Sequence, residues 1–291
     1  MIFWGLSFVA TKMALESFPT FTLVFARFTI GSCIFLASMF FYGLPRLTKK
    51  AHGKVLLTAL FEPGLYFVFE TIGLQHTTAP KASLIIATVP VAVVVFAAVF
   101  LGERSSLWSL LGISISLAGI AVLVRGDPDF RLALGGHLLG DLLIFGAVLS
   151  AALYIVCARD LGRNHSAFEI TSMQTLYGTI FFAPAFLWEL PDVQWSAIST
   201  RSLAALIYLA VFATVAAFLF YNYALTRVPA PKAAVFINGI PVVTAIAAWI
   251  LLGETLTMLQ AWGGLLVLVG VYLTNLPATE RMAQDVQESS G

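Results

Sequence analysis

Glu62, Tyr66 and Glu70 recur every four residues inside an otherwise apolar run. That spacing predicts one stripe on one face of a helix. Two carboxylates and a phenol facing lipid would be very costly, so the stripe must face protein or a water-filled cavity. Lining a cavity is the first reading of these groups, and proton coupling through either glutamate is a second. A third is structural, with the carboxylates snorkelling or pairing with Arg27 or Lys12.

Other residues carry weaker signals. Tyr221 and Asn222 bring a phenol and an amide to a later apolar run, and Tyr154 a further phenol. Asn238 stands three residues before Pro241, where its amide could satisfy a carbonyl freed by the proline or touch a solute. Pro90 and Pro241 fall inside apolar runs, where proline removes a backbone hydrogen bond and bends a helix. Pro80 and Pro231 stand at helix starts, a favourable place for proline. Lys12 and Arg27, near Glu16, read as snorkelling or ion-paired groups. Asp141 reads as a helix cap, and Glu103 and Glu254 as acidic groups in the first turns of the helices that follow them.

Catalytic and metal chemistry find little support. There is no H-E-x-x-H, G-x-S-x-G or P-loop pattern. His52, His76, His137 and His165 lie in or near loops without ligand spacing, and Cys33 and Cys157 lie in apolar runs. The expectation is no cofactor, no metal and no enzymatic activity.

The elements that position these groups follow from composition. Of 291 residues, 59% are hydrophobic and 11% charged, against about 25% charged in a soluble domain. A chain so poor in charge needs a lipid bilayer to solvate it. A net charge of +1 gives no hint of a nucleic-acid partner. Spans of about 20 apolar residues are expected as helices, since backbone polar groups cannot go unpaired in lipid. Ten candidates lie near 2–15, 22–42, 55–74, 81–101, 107–124, 138–158, 168–187, 202–225, 232–252 and 256–275. The first lacks a basic leader and a cleavage site, so it is expected to stay as a span. It is short and the chain begins within an apolar run, so part of that helix is expected upstream.

The stretch from Ala79 to Gly119 recurs from Ala230 to Gly270 without a gap. Pro80, Pro90, Glu103 and Gly119 each have an identical residue 151 positions on. Upstream, Phe21 aligns with Phe168, Arg27 with Gln174 and Gly31 with Gly178, all 147 apart. Each copy holds five helices, and an odd number forces the second copy to enter from the opposite side. The expected fold is therefore all-α and polytopic, with about ten transmembrane helices in two inverted five-helix repeats. The expected division is 1–124, an external linker at 125–137, 138–275 and a cytoplasmic tail at 276–291. Inverted repeats characterise secondary transporters, whose site lies near the midplane. Lys and Arg favour both ends inside: ten lie in the inner loops and four in the outer ones on that orientation,. The carboxylates belong to the first half alone, since Ala213, Ala217 and Tyr221 hold the corresponding places in the second.

The chain resembles EamA-type members of the drug/metabolite transporter superfamily. The resemblance rests on Trp4-Gly5 with Ser7-Phe8 and Lys12, on Thr22-Leu23 with Arg27-Phe28, and on 79–103 with Gly112 to Gly119. In the second copy it rests on Gly140-Asp141-Leu142-Leu143, Ala152-Leu153-Tyr154, Pro241 to Glu254 and Gly263 to Gly270. It implies alternating access and a central cavity lined by helices one, three, four, six, eight and nine. Carried onto this chain, the cavity residues are Trp4, Phe8, Glu62, Tyr66, Glu70, Thr88, Tyr154, Tyr221 and Asn238. The implied activity is transport of small metabolites across the inner (plasma) membrane, with export of amino acids foremost. Import of sugars or other solutes on the same fold is the alternative, and a membrane enzyme or sensor a remoter one.

Overall fold

The computed structural model describes residues 1–76, 79–126, 138–252 and 256–276. Among them every regular element is a helix. Ten helical segments follow one another: α1 (Ile2–Ala14), α2 (Thr20–Tyr42), α3 (49–76), α4 (79–101), α5 (Leu107–Arg125), α6 (Leu138–Leu161), α7 (Ala167–Glu189), α8 (200–227), α9 (230–252) and α10 (Met258–Thr274). Single 3-10 turns, Leu190–Asp192 and Trp195–Ala197, fill the connection from α7 to α8. Seven helices among the described residues are long and apolar enough to cross a membrane, and α1 and α10 are apolar but shorter. Most of the linker, the Gly253-Glu254 turn and the tail from 277 lie outside the described residues.

Hydroxyl side chains set several helix starts. Thr48, Ser106, Ser166, Ser199 and Thr257 each accept a backbone N–H from the first turn of α3, α5, α7, α8 and α10. Glu169 and Gln260 complete capping boxes for α7 and α10. Such caps are worth about 1 kcal/mol each. At the end of α4 the chain turns through Gly102, whose φ of 67° is left-handed and suits a residue without Cβ,. Ser106 takes the cap of α5, so Glu103 is not the first-turn acid that its sequence position suggests. It reaches across the bundle instead.

Four helices are interrupted part-way. α3 consists of Lys49–Ala59, a π-helical stretch Leu60–Leu65 and Tyr66–His76. α8 is built likewise, with π-helical Leu209–Ala216 between Thr200–Tyr208 and Ala217–Arg227. α4 stops at Ile86 and restarts at Val89. α9 passes from Ala230–Ala234 through a 3-10 stretch, Val235–Gly239, into Ile240–Leu252. Pro90 and Pro241 therefore do not bend continuous helices. Each is the second residue of a restarted helix, where the missing N–H leaves no intrahelical bond unmade.

The α3 interruption also corrects the stripe. Glu62 has extended backbone angles, φ −146° and ψ 120°, and precedes Pro63 through a cis peptide bond. Only Tyr66 and Glu70 share a regular helix face. Periodicity assumes an unbroken helix, and the Glu62-Pro63-Gly64 sequence breaks it.

Packing differs between centre and edge. Val89, Val93, Val148, Tyr154, Phe218, Tyr221 and Ala234 form a buried cluster joining α4, α6, α8 and α9. At the edge, α5 and α10 cross closely on glycines. A Cβ placed on Gly112 would stand 2.5 Å from the carbonyl of Gly270, and one on Gly270 would stand 2.5 Å from that of Gly112. Gly119 and Gly263 face each other in the same way, at 2.8 and 2.7 Å. Small residues that let helix backbones touch are characteristic of packing within bilayers. The outer faces carry exposed Phe40, Phe41, Trp188, Trp249, Trp262 and many leucines, a surface suited to lipid contact.

Candidate functional site

The interruption in α3 leaves the Glu62 carbonyl without its helical partner. Gln174 of α7 donates its side-chain amide to that carbonyl at 2.8 Å. The Gln174 oxygen accepts from Asn222 Nδ2 of α8 at 3.1 Å, and the same amide donates to Thr171 Oγ1 at 2.9 Å. Tyr154 of α6 donates its hydroxyl to Asn222 Oδ1 at 3.0 Å. One polar chain thus ties α3, α6, α7 and α8 together. Tyr154, Asn222, Gln174 and Thr171 are each at most 2% exposed. Their mutual hydrogen bonds offset the cost of burying polar groups in an apolar interior.

Charged groups adjoin this chain. Tyr66 donates its hydroxyl to Glu70 Oε1 at 3.3 Å, one helical turn along. Arg27 of α2 is buried, donates Nε to Thr214 Oγ1 at 2.8 Å, and lies 5.6 and 5.5 Å from the ring centroids of Phe28 and Phe67. Glu62 and Glu70 both lie within electrostatic reach of its guanidinium. These three charges all come from α2 and α3. Gln174, which matches Arg27 in the repeat, is neutral, as are the α6, α7 and α8 partners. The cluster can hold a solute's charged groups from one side and hydrogen-bond it from the other.

Trp4 closes another edge. Its indole N–H donates to the Ala213 carbonyl at 3.0 Å, a group in the π-helical stretch of α8. Its ring packs on Phe218 and Tyr221, with centroids 5.3 and 5.2 Å apart. Tyr221 is buried, and its hydroxyl has no hydrogen-bond partner among the described residues.

Three other expected cavity residues make no hydrogen bond to the central cluster. Phe8 is 51% exposed. Thr88 gives its hydroxyl to the Ile85 carbonyl of its own helix at 2.6 Å, at the turn where α4 is interrupted. Asn238 donates its amide to Ser116 Oγ of α5 at 2.8 Å, so it bonds neither a carbonyl freed by Pro241 nor a group of the central cluster. Helix rotation decides these orientations, and composition alone does not encode it. Gln174, Asn222 and Thr171 escaped the sequence reading as a set, because amides and hydroxyls in apolar runs look innocuous singly. Their signal was present: two amides in consecutive spans, one of them in the place of an arginine.

A second polar knot lies at the ends of α4, α6, α8 and α9. Arg159 Nε donates to Glu103 Oε1 at 2.8 Å, and Arg159 Nη1 donates to the Leu225 carbonyl at 2.8 Å. Glu103 Oε2 accepts the backbone N–H of Ala230, the first residue of α9, at 2.8 Å. Beside it Lys54 pairs with Asp160. At the opposite end Glu189 of α7 accepts from the backbone of Phe21 and Thr22 at 3.2 and 2.7 Å, capping α2.

Seven long apolar helices among the described residues, with buried Arg27 and part-buried Glu62 and Glu70 between them, are the build of a multi-pass membrane protein. The EamA-like transporter family matches residues 1–125 and 138–276, and the chain belongs to that family. It is similar to an uncharacterized transporter of Archaeoglobus fulgidus, 30% identical over 278 residues, covering 93% of this chain and 94% of the relative. It is similar to the uncharacterized transporter YetK of Bacillus subtilis, 28% identical, covering 93% of this chain and 82% of the relative. A third relative, from Streptantibioticus cattleyicolor, bears the name "probable terminal-alkyne amino-acid exporter" and is 25% identical, covering 94% of this chain and 90% of the relative. A crystal structure 20% identical in sequence superposes with a TM-score of 0.81, covering 96% of this chain and 94% of the other. That likeness carries the fold.

Proposed function

We propose that the chain is a secondary transporter of the inner (plasma) membrane that exports small metabolites such as amino acids, without enzymatic activity. Two inverted five-helix halves rock about a site at Arg27, Glu62, Tyr66, Glu70, Tyr154, Gln174 and Asn222. Both ends of the chain face the cytoplasm.

The observation that carries this reading is the gathering of buried Arg27 with part-buried Glu62 and Glu70 inside an apolar bundle. Ionisable groups at membrane depth are expensive and mark solute or ion pathways. The glycine crossing supports the inverted repeat. Adding 151 turns Gly112 into Gly263 and Gly119 into Gly270, while the contacts are Gly112 with Gly270 and Gly119 with Gly263. Exchanging the two halves therefore maps this pair of contacts onto itself, as a two-fold axis does. The π-helical stretches of α3 and α8 overlap at the same offset, since 60–65 becomes 211–216, inside 209–216. Interrupted helices at a repeat interface are where transporters place their sites. The relative named as an amino-acid exporter favours amino acids as cargo.

The test compares metabolite pools inside cells and in the medium, with and without the gene. Selective accumulation of amino acids in the medium on expression is the expected result. Unchanged external pools across amino acids and related metabolites would sink the exporter reading.

A further inference from the structure

The connection from α2 to α3 and the first turn of α3 carry Arg46, Lys49 and Lys50, all three exposed. The backbone beneath them is pinned to the bundle. Arg46 donates its backbone N–H to Glu169 Oε1 of α7 at 3.1 Å. Thr48 caps α3 by accepting the N–H of Ala51. Leu47 packs on Val55, Leu161 and Ile170, the buried cluster where α3, α6 and α7 meet. Ala51 and Val55 are buried on the same stretch of α3. The segment is therefore held in place while its three cations stay in the open.

The described acids at this end of the bundle are already engaged. Glu103 holds Arg159 and the Ala230 N–H, and Asp160 holds Lys54. Glu169 accepts from Arg46 and from both the N–H and the hydroxyl of Ser166. Among the described residues, the side chains of Arg46, Lys49 and Lys50 make no ion pair and no hydrogen bond. Directly before them, α2 ends in Phe40, Phe41 and Tyr42, and Leu44 follows. These four are 89%, 88%, 81% and 78% exposed. An apolar, aromatic rim thus adjoins three uncompensated positive charges.

We infer that this segment binds the headgroup of an anionic phospholipid, whose acyl chains lie against Phe40, Phe41 and Leu44. Basic residues beside a membrane span attract anionic lipid, and the attraction falls off within a Debye length. A lipid in contact with the three cations therefore gains more than one further out. A zwitterionic headgroup brings its own cation and leaves the charge of the segment unbalanced. Loop charges that only set orientation in the membrane need no fixed backbone. The anchoring through Glu169, Thr48 and Leu47 turns the charges into a site. The inference concerns the lipid and not the cargo, so it stands apart from the exporter reading.

The test offers the full chain, purified in detergent, equal amounts of phosphatidylglycerol and phosphatidylcholine with matched acyl chains. Native mass spectrometry then counts the lipids retained. The parent should keep phosphatidylglycerol at least fivefold over phosphatidylcholine, and high salt should shrink that preference. Combining Arg46→Gln, Lys49→Gln and Lys50→Gln should bring the ratio within twofold of unity, with the unfolding midpoint unchanged. Arg201→Gln, at the exposed start of α8 on the opposite end, should keep the parent's ratio. Should the triple variant not survive purification, Lys49→Glu alone decides, by halving the ratio or more. Equal retention of the two lipids by the parent overturns the site, as does a preference that survives in the substituted chains. A preference that appears only once residues 277–291 are deleted also overturns it, because the acidic groups Glu280, Asp285 and Glu288 would then be the occupant of the segment.

Discussion

The side-chain amide of Gln174 bonds the backbone carbonyl of Glu62, 112 positions earlier in the chain, at 2.8 Å. The carbonyl needs this partner because α3 is broken there. The other end of the amide holds Asn222. Replacing Gln174 by leucine strands a buried carbonyl and weakens the hold on Asn222. An unsatisfied buried group costs about 1–3 kcal/mol, so Gln174→Leu should destabilise the protein by about 2 kcal/mol or more. Thermal unfolding in detergent measures this.

Glu103 and Arg159 make a prediction about coupling. Their side chains are 12% and 16% exposed, so either group left alone is a largely buried charge. Removing one partner of such a pair costs on the order of 3 kcal/mol. Arg159→Gln and Glu103→Gln should each destabilise strongly, and the double variant should cost clearly less than the sum. A double-mutant cycle on unfolding midpoints checks this. Additive losses would mean that Glu103 acts mainly through the Ala230 N–H that it caps.

How much of this could be read from the sequence depends on the range of the interaction. The spans were legible because each is a local apolar run, and the glycines that pair α5 with α10 stood out through their fixed offset of 151. The group Glu62, Tyr66 and Glu70 was legible as ionisable residues in the wrong solvent. Its geometry was not, because Pro63 breaks the helix on which the stripe was drawn. Glu103 was assigned to its own next helix, while its partners are 56 and 127 positions away. Phe8 is a cavity candidate by its place in a motif, and Asn238 by its amide beside Pro241. The Asn238 amide goes instead to Ser116 of α5, 122 positions earlier, a partner that no local pattern announces.

The glycine crossing predicts a sharp contrast between two equally conservative changes. Gly270→Ala puts a methyl 2.5 Å from the carbonyl of Gly112, and the two backbones must part to admit it. Overpacking of this kind costs about 1–3 kcal/mol. Gly53 lies in α3 with no atom within 4 Å of a built Cβ, so Gly53→Ala should be neutral or stabilise by about 0.5–1 kcal/mol through helix propensity. The unfolding midpoint should fall for Gly270→Ala and hold or rise for Gly53→Ala. Equal shifts would mean that α5 and α10 do not meet at these residues.

Glu70 and Phe8 separate a site at the centre from a site assigned by motif alone. Glu70 accepts from Tyr66 and lies within electrostatic reach of buried Arg27. Phe8 is half exposed. Glu70→Gln keeps the shape and a hydrogen-bond acceptor for Tyr66 while removing the charge. Its export rate should fall at least tenfold, with membrane insertion and unfolding midpoint close to those of the parent. Arg27→Gln should lose export too, and should also lose stability, because Arg27 holds Thr214 and covers two phenylalanine rings. Phe8→Ala should export within twofold of the parent. Unimpaired efflux through a properly inserted Glu70→Gln variant would remove that carboxylate from the transport path and leave it a structural partner of Tyr66.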